Sequence, residues 1–255
     1  MLSATIITHN EERNIERCLN SLMGVVDEII VVDSYSTDST PEICRRYGAK
    51  VTQRVFSGYG PQRQYAASLA GGRYVLSIDA DEVLTEELRD SLKKLRSEGF
   101  GHRMYCFRVV NYVKGQAVLR SGLEPIMQTR LFDKRYASWD MLDVGERLSY
   151  PAGVRPQPLK GEMHHFRCDT VKELEFKEIR NARMRGRMMA AAGINASTPL
   201  CWLRAACSFL NCAVRQGAMF DGDAGRTVAK VRFKSTLAAY LTARSIARES
   251  HEKRN

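Results

Sequence analysis

Three stretches of the chain place oxygen-bearing side chains directly after apolar runs: Thr8-His9-Asn10-Glu11-Glu12, Asp33-Ser34-Tyr35-Ser36-Thr37-Asp38 and Asp79-Ala80-Asp81-Glu82. An aspartate backed by hydroxyls, as at Asp33 and Ser36, can hold a ribose or the edge of a base. Two carboxylates at Asp79 and Asp81 suit Mg2+ or Mn2+, because hard cations take oxygen ligands, and such a cation also grips a diphosphate. Asp-x-Asp in isolation reads as a solvated turn or a helix N-cap; its place at the end of an apolar strand favours the ligand. Gly58 and Gly60 do not form a dinucleotide fingerprint, since Arg63 stands where the last glycine belongs and no strand directly precedes them.

The elements that must position these groups alternate. Leu2 to Thr8 is β-rich, and Ile15, Cys18, Leu19 and Leu22 follow at helical spacing. Glu28 to Asp33 is a continuous apolar run, as expected of a strand covered on both faces. Ser39-x-x-Glu42, with Pro41 in the first turn, has the spacing of a capping box and predicts a helix to about Tyr47. Lys50 to Gln53 makes a short strand, Gln62 to Ala70 a helix, Tyr74 to Asp79 a fourth strand, and Glu86 to Ser97 a helix with Leu88, Leu92 and Leu95 inward. Such alternation predicts an α/β fold with a largely parallel sheet and helices on both faces. The three polar stretches then fall at the carboxyl ends of strands, where open α/β sheets bind ligands. Arg103 to Leu119 and Thr129 to Asp133 read as antiparallel additions at the sheet's edge. From about Thr170 the chain turns helical and basic, so a catalytic domain at 1–169 and a helical extension at 170–255 are expected.

The 255 residues are 44% hydrophobic and 27% charged, which excludes wholesale disorder. No apolar run approaches the roughly 18 residues of a membrane span, and the first residues carry no leader pattern. Seven cysteines without a CxxC pair read as reduced thiols. Residues 1–125 carry 16 basic and 16 acidic side chains; the remainder hold 23 and 13, so the entire +10 excess lies in the second half. A neutral half joined to a basic one predicts an anionic partner for the latter.

The motifs also carry a family resemblance. Thr8-x-Asn10-Glu11-Glu12, Val31-Val32-Asp33-Ser34-x-Ser36-x-Asp38-Ser39-Thr40, Gly58-Tyr59-Gly60-x-x-Arg63 and Ser77-Ile78-Asp79-Ala80-Asp81-Glu82 resemble the family-two nucleotide-sugar glycosyltransferases. The set is most similar to the branch that adds glucose to the inner core of lipopolysaccharide. The likeness continues through Arg130-Leu131-Phe132, Gly145-Glu146-Arg147, His165-Phe166 and Phe220-Asp221-Gly222-x-Ala224-Gly225. It implies a GT-A fold and inverting transfer from a uridine-diphosphate sugar, UDP-glucose for that branch. On the family pattern Thr8, Asn10, Glu12, Asp33, Ser36 and Arg63 hold the nucleoside, Asp79 lies near the ribose or donor sugar, and Asp81 ligates Mg2+ or Mn2+. His165 is a further candidate ligand, with His164 behind it; their alternative is a structural pair at a helix start. Arg130 and Arg147 are candidates for the acceptor. Two positions depart from the pattern: Gly145 replaces a histidine, and Tyr35 stands where glycine or alanine is usual.

Inverting transfer needs a carboxylate on the face opposite the leaving diphosphate. Glu124, Asp140, Asp143 and Glu146 are the candidates in the middle segment, with Glu146 first and Asp143 in reserve. In the basic half, Arg180, Arg183 and Arg187, and again Arg226, Lys230 and Lys234, fall on single helix faces beside segments carrying Trp202 and Phe209. This composition predicts association with an anionic membrane surface, at the cytoplasmic face of a bacterial inner membrane, or packing on the domain or in a homodimer. The expected partners are a nucleotide sugar and a lipid-linked, lipopolysaccharide-core type acceptor. A sugar-1-phosphate nucleotidyltransferase is disfavoured because no Gly-rich basic loop follows the first strand. A nucleic-acid binder is disfavoured because the sheet half is neutral.

Overall fold

The computed structural model describes residues 1–194 and 196–252, with side chains to residue 249, and the chain divides into two compact units. Unit 1 comprises Met1–Val110 and Ile126–His165; unit 2 comprises Asn111–Pro125 and Phe166–Asn255.

Unit 1 is built on the expected α/β alternation. Strands β1 (Leu2–Thr8), β2 (Glu28–Asp33), β3 (Lys50–Gln53) and β4 (Tyr74–Asp79) pair in parallel in the order β3-β2-β1-β4. The register sets Thr8 opposite Asp33, and Ile7 opposite Asp79, so the carboxyl ends of β1, β2 and β4 finish side by side. Helix α1 (Ile15–Leu22) buries Ile15, Cys18, Leu19 and Leu22, the four residues that share its apolar face. Together with Leu2, Ile6, Val31, Leu76 and Ile78 they form the main core. Burying each such side chain contributes roughly 1.5–3 kcal/mol.

Beyond β4 the sheet turns antiparallel. β8 (Ile126–Asp133) pairs with β4 and β6 (Met104–Val113) with β8; β11 (Gln157–Cys168) and β5 (Glu82–Leu84) complete the path. β11 is a long strand that sequence periodicity does not announce, because its charged and apolar residues do not alternate cleanly. Its pairing with β5 sets His165 against Glu82 and His164 against Val83. The two histidines are therefore on a strand, not at a helix start.

One helix cap and one helix start also differ from expectation. Helix α2 (Thr40–Arg46) has Ser39 as its N-cap residue, but Ser39 has a nearly helical ψ of 9° and its side chain caps nothing. Asp38, one residue earlier, accepts from the Thr40 amide instead (3.0 Å), and Glu42 pairs with Arg45. Helix α3 (Tyr59–Leu69) begins at Tyr59, three residues before Gln62. Helix α4 (Glu86–Glu98) starts where expected, with Thr85 accepting from the Leu88 amide and Leu88 and Leu92 buried. A small hairpin, β9 (Ser138–Trp139) with β10 (Leu148–Ser149), packs Trp139 near Phe132.

Unit 2 is mainly helical; its strand residues are the ends of β6 and β11 and the two-residue β7 (Gln116–Ala117). Its helices are α5 (Val171–Ala191), α6 (Thr198–Leu210) and α7 (Gly222–Glu252), with a π turn at Asn211–Arg215 and a 3-10 turn at Ala218–Asp221. Gly186 lets α5 and α7 approach closely: a Cβ there would lie 2.5 Å from the Ala239 carbonyl oxygen. Gly225 does the same where α7 leaves the 3-10 turn, since its Cβ would meet the Ala218 oxygen at 1.9 Å. Asp221 accepts from the Arg120 amide and the Ser121 hydroxyl. These contacts give the Phe220-to-Gly225 motif a structural role within this unit. No helix among the described residues is long and apolar enough to cross a membrane.

Candidate active site

The site grows from the strand ends. At the end of β1, Asn10 adopts a left-handed backbone (φ 55°), a conformation asparagine tolerates. Its amide donates to Ser36 Oγ (2.8 Å) and its Oδ1 accepts from the Thr37 amide (2.8 Å). The Glu12 amide donates to Asp38, while its carboxylate accepts from the Ser39 amide (3.2 Å each). Asn10 and Glu12 thus tie the loop after β1 to the loop after β2. Asp33 is fully buried; its carboxylate accepts from the Ser36 amide (2.9 Å), the Ser36 hydroxyl and Gln53 (3.4 Å). Tyr35 also lies in the left-handed region (φ 59°) and is half-exposed. Holding a tyrosine there costs about 1–2 kcal/mol. Beside these loops two buried polar atoms lack partners, Thr8 Oγ1 and Gln62 Oε1. A buried polar group without a hydrogen bond is costly, so both suit a bound polar ligand.

The two glycines before Arg63 allow a close approach. A Cβ on Gly60 would lie 2.1 Å from the Asp140 carbonyl oxygen, and one on Gly58 would lie 2.8 Å from Asp143. The 140–143 loop instead accepts the Tyr59 and Gly60 amides on the carbonyls of Asp143 and Leu142. Docking this loop at the start of α3 brings Glu146, three residues further on, to Arg63. Arg63 is nearly fully buried: Nε donates to Glu146 Oε1 (2.8 Å), and Nη2 lies 2.6 Å from Asp79 Oδ1. Burial opposes its charge, but Asp79 and Glu146 outweigh that and raise its pKa. Its guanidinium also lies 5.2 Å from the Trp139 ring centre. One arginine therefore links the end of β4 to the loop carboxylate.

Around β4 and β5 the charges interlock. Arg130, on β8 and buried, donates to Glu82 Oε1 (3.0 Å) and lies 3.7 Å from Asp79. Burial pushes the Asp79 carboxyl up, but Arg63 and Arg130 overcome this and hold it below its ordinary value. Glu82 shows no exposed surface; burial raises its pKa despite Arg130. Asp81 differs in facing His165, whose Nε2 is 3.3 Å from Oδ1. No group of three histidine, cysteine or acidic side chains able to hold a metal comes together among the described residues. Asp81 and His165 present two donors, one oxygen and one nitrogen, while Asp79 and Glu82 are engaged by arginines. A divalent ion there would need its remaining ligands from a substrate diphosphate and water, as Mg2+ commonly does.

The outer residues are more open. Asp143 and Arg147 are exposed, and Asp140 is half-buried, its amide donating to the Arg147 carbonyl. Sequence reasoning missed Gln62 and Trp139. Gln62 lies one residue before a motif arginine, and Trp139 has no local signal.

A carboxylate-rich crevice at the carboxyl ends of an open α/β sheet is the ligand site of that class of fold. The chain belongs to Glycosyl transferase family 2, whose pattern matches residues 3–160. It is similar to an uncharacterised glycosyltransferase of Rickettsia felis, 38% identical over 144 residues, covering 54% of this chain and 50% of that protein. The chain thus spans about half the length of such relatives. The lipopolysaccharide core biosynthesis glycosyltransferase LpsC of Rhizobium meliloti is 27% identical over 199 residues, covering 75% of this chain and 73% of LpsC. Among solved structures, glucosyl-3-phosphoglycerate synthase of Mycobacterium tuberculosis, with Mn2+, UDP and glucosyl-3-phosphoglycerate, aligns with a TM-score of 0.48 at 18% identity, covering 77% and 81% of the two chains.

Proposed function

We propose that this protein transfers a sugar, with inversion, from a uridine-diphosphate donor such as UDP-glucose to a hydroxyl of a lipid-linked acceptor of the lipopolysaccharide-core type. The observation that supports it most is the Asp79–Arg63–Glu146 chain. It couples the donor end of the sheet to a single carboxylate held on a separate loop. Thr8 Oγ1 supplies an unused group to the nucleoside. Asp33 shapes the adjoining loop through Ser36, and a ribose would engage it by taking over a Ser36 or Gln53 bond. Asp81 and His165 would hold Mg2+ or Mn2+, which supplies positive charge to the departing diphosphate.

Glu146 is the base. Oε1 is held by Arg63, and no other hydrogen bond to this carboxylate exists among the described residues, so Oε2 is available to take the acceptor proton. Asp143 lies on the same loop, and exposed Arg147 can meet an acceptor phosphate. Glu146→Gln should leave UDP-sugar binding near wild type and cut turnover by about two to four orders of magnitude. Parallel loss of donor binding and turnover would mark Glu146 as a structural residue, with Asp143→Asn the next variant to assay.

The acceptor class carries a lipid, and unit 2 offers a surface for it. Leu203, Leu210 and Val214 share one face of α6 and the π turn and are more than half exposed, as are Trp202, Met219 and Phe220. Arg204 and Arg215 are exposed beside them. Phe209, expected on this face, instead packs against the unit's core. Exposed apolar side chains flanked by arginines support peripheral binding to an anionic bilayer.

A further inference from the structure

Inside unit 2 a cavity of about 470 Å³ opens between α5 and α7. Three arginines line it: Arg167, Arg185 and Arg232, against a single acid, Glu178. Arg167 consumes that acid, with Nη2 donating to Glu178 Oε1 at 2.7 Å, while its Nε is buried without a partner. Arg185 and Arg232 are both half-buried, and neither side chain has a hydrogen bond or ion pair among the described residues. Burial pulls the Arg185 pKa down, Glu178 resists, and the like charge of Arg232 adds to the fall. A partly desolvated pair of like charges whose nearest acid is already engaged by Arg167 is unfavourable in a fold that pairs the buried Arg63 and Arg130. The lining adds two hydroxyls, with Thr236, one turn beyond Arg232 on α7, donating to Ser208 Oγ at 3.0 Å. Buried Leu174 and Val228 supply apolar lining.

We propose that this cavity is a binding site for a phosphate group, a phosphomonoester or diphosphate, taken between the Arg185 and Arg232 guanidinium groups. Two uncompensated positive charges match a dianion, and planar guanidinium groups present paired donors to phosphate oxygens. A single carboxylate would neutralise only one of them. The site stands on unit 2 alone and does not depend on the transfer reaction proposed for unit 1. Its phosphate can come from a soluble metabolite or from a lipid headgroup.

The test uses the protein with EDTA present, so that no divalent cation draws pyrophosphate to the strand-end site. Inorganic pyrophosphate is titrated against KCl of matched ionic strength, and melting temperature and calorimetric binding are followed. Wild type should show a saturable rise over KCl, and Arg185→Gln or Arg232→Gln should weaken pyrophosphate binding by about tenfold or more. Without pyrophosphate, Arg185→Gln should melt no lower than wild type, because it removes an unpaired charge. Vesicles of phosphatidic acid in phosphatidylcholine, compared with phosphatidylglycerol at equal charge, separate the sources. An Arg185-dependent preference for phosphatidate assigns the site to a headgroup, and its absence alongside pyrophosphate binding assigns it to a soluble phosphate. No pyrophosphate effect in wild type together with no Arg185-dependent phosphatidate preference would overturn the site, as would undiminished pyrophosphate binding in both glutamine variants.

Discussion

The two units treat arginine in opposite ways. In unit 1 the buried guanidinium groups are saturated: Arg63 lies between Asp79 and Glu146, and Arg130 reaches Glu82 and Asp79. In unit 2 Arg185 and Arg232 line a cavity without a carboxylate of their own, and Arg183 and Arg187 stand in solvent. The same side chain is thus a structural cross-link in one unit and an unspent charge in the other. What distinguishes them is the supply of acids: unit 1 carries 20 acidic and 20 basic side chains, unit 2 only 9 acidic against 19 basic. A guanidinium is nearly always charged, so its surroundings and not its own titration decide which role it plays.

Removing the cross-link should have the largest effect. Arg63→Met leaves Asp79 and Glu146 facing each other's charge in a buried crevice, and breaking a buried pair on one side costs about 3–5 kcal/mol. Denaturant unfolding should show that loss, and turnover should fall below detection because both the β4 end and the Glu146 loop lose their tie. Arg63→Lys keeps the charge but not the fork, and should fall between the two. A variant as stable as wild type would mean that the crevice does not rely on this ion pair.

A second paired cluster in unit 1 gives a smaller effect with a defined pH signature. Asp133 shows no exposed side-chain surface and accepts from Arg73 Nε (2.7 Å), Arg135 Nη2 (2.9 Å) and the Arg135 amide (3.1 Å). Burial alone would raise its pKa, but these donors lower it from 3.8 to about 2. A depressed folded-state pKa stabilises the fold above the unfolded value and is lost as protons bind. The contribution is therefore complete above pH 4 and disappears as the pH falls towards about 2. It amounts to about 2 kcal/mol. Asp133→Asn should lower stability at neutral pH by that order and flatten the stability curve between pH 4 and 2. An unchanged acid limb would move the acid sensitivity to other carboxylates.

The contrast also explains what could be read before folding. The parallel half of unit 1 was legible because its strands are short apolar runs ended by polar motifs, and its helices repeat apolar residues at 3.6 spacing. The antiparallel half was only partly so. β11 mixes lysine, glutamate and two histidines, and its pairing with β5 depends on contacts more than 70 residues apart in sequence. The strand-end residues Thr8, Asp33, Asp79 and Asp81 could be named as a group because the α/β rule fixes where such ends meet. Their ion-pair partners could not, since only side-chain geometry shows that arginines hold Asp79 and Glu82 while His165 faces Asp81. The capping box at Ser39 failed for a related reason: Glu12, from the loop after β1, accepts the Ser39 amide that Glu42 would have capped, and Glu42 turns to Arg45. In unit 2 the basic stripes were visible, but which arginines face water and which face a cavity depends on how α5 and α7 pack.

The smallest effect expected is at the exposed arginines, and it completes the comparison. Arg183 and Arg187 lie one helical turn apart on α5 and are exposed, unlike Arg185 between them in sequence. Neither buries enough surface to matter for folding, and surface substitutions of this kind usually change stability by less than about 0.5 kcal/mol. Arg187→Gln should therefore unfold with wild-type denaturant dependence. Its removal still takes one positive charge from the basic face, and each basic side chain near an anionic bilayer is worth about 1 kcal/mol. Co-sedimentation with phosphatidylglycerol vesicles should then weaken about fivefold at low salt and converge with wild type as salt screens the charge. A stability loss comparable to that of Arg63→Met would show that the stripe is a folding element, and the division between cross-linking and unspent arginines would not hold. Unaltered vesicle binding at low salt would place the bilayer contact on the apolar face of α6 alone.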